Sequence, residues 1–221
     1  RQAVGGRAAA PHGHRVPGAL AGPAGGPRHF GDVSCSRSPY DGVAQSLAGA
    51  LAVREGRFSA GRQAFRRAVE LGNFAPWTIT GLAVACEQLG QETMALRALQ
   101  AGCQQFRGVA LPWLALAALL ARKGKLDAAV GTLRQAMEEV PEERDELVRT
   151  FFRWRAQASG AATAAAELRR FAEGRPGDAG LLRTVAELLD ESGQRGHAIA
   201  LFRRLVAAGP RDVVALYRLG R

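Results

Sequence analysis

With 221 residues, 47% of them apolar and only 6% aromatic, the chain can bury a substantial core but lacks the Val/Ile/Thr runs of a sheet protein. Its formal net charge of +10 is carried almost wholly by arginine, Lys123 and Lys125 being the only lysines. The arginines fall singly or in pairs, so the codon usage of a GC-rich, bacterial genome accounts for them better than a nucleic-acid surface does, and nucleic acid is set aside as a partner.

Residues 1–40 form one compositional block in which Gly, Pro, Ala and Arg recur without period. Ordering such a backbone costs about 1–2 kcal/mol per residue, and nothing here offers an apolar face in return. A disordered arm of charge +4 (five Arg less Asp32) is expected. His12, His14, His29 and Cys35 lie in it without a rigid frame, so no metal site is expected.

From Asp41 the pattern becomes helical. Helices are predicted over Val43–Val53 and Phe58–Leu71, with Gly56 between them. The pair recurs as Pro76–Leu89 and Glu92–Phe106 around Gly90, then as Ala110–Lys123 and Leu126–Val140 around Gly124. Gly56, Gly90 and Gly124 stand 34 residues apart. Glycine at each midpoint supplies the left-handed residue that ends one helix and lets the next turn back. Pro141 and Pro210 sit where second helices must stop.

The fourth unit departs from the period. Leu147, Phe151 and Trp154 keep the spacing of its first helix, but position 158 is Ala158 and the glycine is Gly160. One residue inserted in the tight turn displaces the second helix, Ala161–Glu173, and Pro176. If Trp154 anchors this unit's core, Trp154→Ala would cost about 3–5 kcal/mol; a loss below about 1 kcal/mol would mark it as an exposed contact residue. A fifth unit resumes around Gly193, and Asp212–Arg221 begins a sixth. The chain has no initiator Met and stops inside a helical pattern, which suggests a fragment.

These residues resemble the tetratricopeptide repeat, whose signature is Trp-x2-Leu-Gly-x2-Tyr, then Ala-x3-Phe and a closing Pro. The third unit reads Trp113-x2-Leu116-Ala117-x2-Leu120, then Ala129-x3-Leu133, Ala136 and Pro141. The fifth gives Leu182-x2-Val185-Ala186-x2-Leu189, then Ala198-x3-Phe202; the second gives Ile79-x2-Leu82-Ala83-x2-Cys86, then Ala95-x3-Leu99. The first is weaker, with Ala48-Gly49, Gly61-x3-Phe65 and Ala68. The resemblance covers residues 41–221 and implies an all-α, right-handed solenoid of about five stacked hairpins plus a partial sixth, preceded by the arm.

It also implies a functional surface, the concave groove lined by first helices. The register places Trp77, Thr80, Val84, Leu111, Leu114, Ala118, Val148, Phe152, Arg155, Arg183 and Glu187 there, with Tyr217 in the last piece. The lysine and asparagine with which some relatives clamp a C-terminal carboxylate are not at the matching places, so chaperone-tail binding is not expected. A mostly apolar groove suits a protein or peptide ligand, and the chain reads as a non-enzymatic binding scaffold. The alternative is the repeat region of a larger enzyme, such as a glycosyltransferase or sulfotransferase. Self-association through an open C-terminal end is a further expectation, since terminal repeats need a polar outer face.

No residues suggest catalysis or a cofactor. Phosphate-loop, HExxH and GxSxG motifs are absent. Three cysteines without a C-x-x-C pair argue for a reducing compartment, hence the cytoplasm. Cys86 and Cys103 fall on apolar faces as packing residues, and His197 reads as surface. Glu138, Glu139, Glu142, Glu143, Asp145 and Glu146 straddle a helix end and the next helix start, a solvated turn rather than a carboxylate site. The longest apolar run, Leu111–Ala121, is too short for a membrane span of about 20 residues.

Overall fold

The computed structural model describes residues 41–209 and 212–220. The arm, with its three histidines and Cys35, and Pro210 fall outside them. Among the described residues there are eleven helices. Five hairpins run α1 (Gly42–Arg54) and α2 (Phe58–Glu70), α3 (Pro76–Gln88) and α4 (Glu92–Gln105), α5 (Ala110–Arg122) and α6 (Leu126–Glu139), α7 (Arg144–Ser159) and α8 (Ala161–Glu173), and α9 (Ala179–Glu191) and α10 (Arg195–Ala208). A single helix, α11 (Val213–Leu219), follows. Consecutive helices pack on one another along the chain, and each first helix also touches the first helix of the next hairpin. No described helix is long and apolar enough to cross a membrane.

The hairpin turns are built as their glycines predict. Gly90 adopts φ 72°, and the amide of Gln91 closes back on the carbonyl of Cys86 at 2.9 Å. The same closure joins Arg57 to Ala52, Lys125 to Leu120 and Gln194 to Leu189, so four hairpins share one helix-ending motif. Carboxylate caps start three first helices: Asp41 accepts from Val43 N at 2.8 Å, Asp178 from Leu181 N at 2.9 Å and Asp212 from Ala215 N at 3.0 Å.

The core follows the period. The large residues Phe65, Leu99, Leu133 and Phe202 are all buried, as are the small ones Gly49, Ala83, Ala117 and Ala186. Small residues let the helices of a hairpin approach closely, and the large ones fill the space between hairpins.

The fourth hairpin is built differently from the sequence expectation. The inserted residue does not lengthen the turn. α7 instead runs on through Ala158 and Ser159, and Gly160 alone joins it to α8, at φ 87° and ψ 151°. Ala158 cannot take the left-handed conformation cheaply, so the helix continues until a glycine is available. Phe151 occupies the place held elsewhere by Ala83, Ala117 and Ala186 and is 1% exposed. It, rather than Trp154, anchors this unit. Trp154 is half-buried against the edge of the core. Trp154→Ala is therefore expected to cost about 2 kcal/mol, below the range for a fully buried aromatic. A loss above 4 kcal/mol in urea melts would restore Trp154 as the anchor.

Candidate functional site

First helices line the concave side. On α3, Trp77, Thr80 and Val84 share one face, as residues three, four and seven apart do. They meet Leu111 of α5 and Ala50 and Val53 of α1 around a pocket of about 290 Å³ floored by Gly81 and Phe65. Phe65 reaches this floor from the second-helix layer. A Cβ built on Gly81 would lie 2.3 Å from its ring Cζ, and one on Gly49 about 2.9 Å from its Cδ2. The ring is thus wedged between two bare stretches of backbone and takes the space that a Gly81 side chain would need. The apolar surface extends past the pocket. Val43 and Leu47, one turn apart on α1 and on the face of Ala50, are 53% and 45% exposed; Trp77 and Leu111 are 36% and 40% exposed.

The hydroxyls near this surface are already engaged. Ser46 and Thr78 share a hydrogen bond of 3.0 Å, and the Asn73 amide donates to Ser46 Oγ at 2.8 Å and to the Gly42 carbonyl at 3.1 Å. Thr80 donates its proton to the Pro76 carbonyl at 2.9 Å.

Beyond Leu111 the predicted lining changes. Leu114 and Ala118 are partly buried, Leu114 against the core. Val148 is fully buried and offers nothing to a ligand, a correction to the groove expected from the register. Phe152 is half-buried and packs against the core. Arg155 is a second correction. Its guanidinium donates to Glu167 of α8 at 2.9 and 2.5 Å and lies 3.8 Å from Asp127 of α6, so it points to the second-helix layer. α7 carries a phenyl ring at the close-approach position and cannot seat as α5 does.

Arg183 and Glu187, the other predicted lining residues, are occupied. Arg183 pairs with Asp212 at 2.7 Å and Glu187 with Arg149 at 2.7 Å. With Asp190–Arg218 at 3.0 Å and Thr184 donating to Asp145 at 2.7 Å, they tie α7, α9 and α11 together. The Ala215 amide, and then Arg183, hold the Asp212 carboxyl below its ordinary range. Tyr217 is 60% exposed. The concave face is therefore divided, apolar over α1, α3 and α5 and charged over α7, α9 and α11. Of the predicted residues, four meet in one pocket; the period could have added Ala50, which stands 34 before Val84, but Gly81 and Phe65 carry no such signal.

Candidate chemistry elsewhere resolves into packing. Cys86 and Cys103 are buried; burial raises both thiols, Cys103 to about 12, so they stay protonated and unreactive at neutral pH. In a Cys35→Ser background neither is expected to react with a thiol-specific dye until the chain unfolds; reaction on mixing would show that the helices open locally. His197 is exposed. The acidic cluster is partly used as structure: Asp145 and Glu146 accept from Thr184 and Thr150. Among the described residues no group of three His, Cys, Asp or Glu side chains is placed to hold a metal.

No family model matches the chain, and no curated protein does. Solved structures do. PilF of Pseudomonas aeruginosa is 15% identical over 83% of this chain and 82% of its own, with a TM-score of 0.50. YrrB, described as a TPR protein with an unusual peptide-binding site, is 14% identical over 87% and 99%, with a TM-score of 0.48. TTC0263, a TPR protein of Thermus thermophilus, is 20% identical over 81% and 97%, with a TM-score of 0.46. Over most of its length the chain has the fold of a tetratricopeptide-repeat solenoid.

Proposed function

We propose that the chain is a non-enzymatic scaffold that holds a protein or peptide against the concave face of α1, α3 and α5. The observation that carries this reading is the pocket walled by Trp77, Val84 and Leu111, continuous with exposed Val43 and Leu47. Large apolar side chains exposed side by side mark interaction surfaces, whereas single ones do not. The charged half of the face binds itself, so it is not part of the site. Most arginines near it are likewise held by carboxylates, which supports leaving nucleic acid out.

In this reading residues 41–221 are the binding unit and residues 1–40 a separate arm. The protonated buried thiols fit a reducing, cytoplasmic setting. Self-association belongs to the same reading through α11, where Val213 and Tyr217 are 75% and 60% exposed; sedimentation velocity against concentration would reveal it.

The test is capture from the native lysate by the full chain beside Ala50→Glu and Leu111→Glu baits, both altered at exposed positions. A protein held by the parent and lost at least tenfold with both variants supports the scaffold, provided their thermal melts are unchanged. Identical captures would sink it and favour a repeat region whose concave face serves another domain of a larger enzyme.

A further inference from the structure

We propose that the occupant of the apolar half-groove is an amphipathic α-helix with an uncharged stripe and an acidic residue at one end, an inference that rests on the groove reading above. Hydrogen-bond capacity decides between helix and extended chain. A peptide laid extended across α1, α3 and α5 would press its amides and carbonyls against this surface. Each buried backbone group needs a partner there. The surface supplies almost none: the pocket is lined by Ala50, Val53, Phe65, Trp77, Gly81, Val84 and Leu111, and its one hydroxyl, on Thr80, has given its proton to the Pro76 carbonyl. A helix arrives with its backbone bonds already made and asks only for apolar contact.

Charge then sets the chemistry of the stripe. Lys, Arg, Asp or Glu facing the pocket would be buried without a counter-charge, which is strongly unfavourable. At one rim the surface turns polar, where Arg54, Gln88 and Arg122 stand one turn beyond Ala50, Val84 and Ala118. Arg122 is paired with Glu87 at 2.7 Å. Arg54 is exposed and has no ion-pair partner among the described residues, so the rim offers one cation to an acidic group. The other boundary is closed by the paired Arg149 and Glu187. α3, with its 13 residues, is about 20 Å long, which a partner helix of about four turns would match.

The experiment is selection of a displayed library of random 16-residue peptides on the full chain, with the winners remade and titrated. Expected winners carry uncharged apolar residues at i, i+3 or i+4, and i+7. They should lose at least tenfold in affinity when a central residue becomes proline, and lose binding to Ala50→Glu. Arg54→Glu should weaken them several-fold, with recovery when the peptide's acidic residue is changed to lysine. Winners that tolerate proline or alternate with period two, yet still fail on Ala50→Glu, would overturn the helix and leave the groove standing. Winners indifferent to Ala50→Glu and Leu111→Glu, or no enrichment at all, would overturn the groove itself.

Discussion

Phe65→Ala is expected to lower the unfolding free energy by about 3–5 kcal/mol in urea melts, and to abolish groove binding with it. The ring is 1% exposed and fills the gap left by Gly49 on one side and Gly81 on the other, so its loss leaves a cavity that two helix backbones cannot close. The converse change probes the same contact. Gly81→Ala gains about 1 kcal/mol of helix propensity. It also drives a Cβ to 2.3 Å from a ring that Gly49 prevents from retreating. Overpacking of this kind costs about 1–3 kcal/mol, so the net effect is a loss. Phe65→Leu should remove the conflict. The chain itself supplies the precedent: one period on, Leu99 replaces the ring and Ala115 replaces the glycine. In the Phe65→Leu background Gly81→Ala should be neutral or stabilising. A Gly81→Ala cost that is equal in both backgrounds would show that the ring is not wedged as described.

That pair also marks how far the sequence could be read. The period, the turn glycines and the alternation of small and large core residues were legible because each recurs, and recurrence survives weak individual signals. Position-by-position arithmetic also named Trp77, Thr80, Val84 and Leu111, which meet around one pocket. It could not find the pocket floor, because a missing Gly81 side chain and a ring arriving from another layer create it jointly. It failed at α7 for a related reason. Counting assigns Val148 and Arg155 to the concave face only if the helix seats like its neighbours. Phe151 in place of a small residue, and the run of helix to Gly160, change that seating. A repeat register transfers position along the chain but not the packing that a substituted neighbour imposes.

Arg144 tests the junction that this altered unit depends on. It is 8% exposed at the start of α7, and its Nε donates to the Met137 carbonyl at 2.8 Å. That carbonyl is among the last of α6 and has no partner within its own helix. The same guanidinium pairs with Asp178, whose other oxygen caps α9. One side chain therefore joins three successive hairpins. Arg144→Ala leaves a partly exposed carboxylate and a helix-end carbonyl without their donor, and a loss of about 2–3 kcal/mol is expected. Arg144→Met keeps much of the stem's packing but neither polar contact, so it should recover only a minor part. Arg144→Lys should also fall short, since a single ammonium cannot reproduce the fork that reaches both oxygens. Asp178→Asn keeps a cap acceptor and should cost less than Arg144→Ala, and the double change should cost less than the sum of the two. If Arg144→Ala costs under 1 kcal/mol, water replaces the guanidinium, and the junction rests on Phe151 and its apolar neighbours alone.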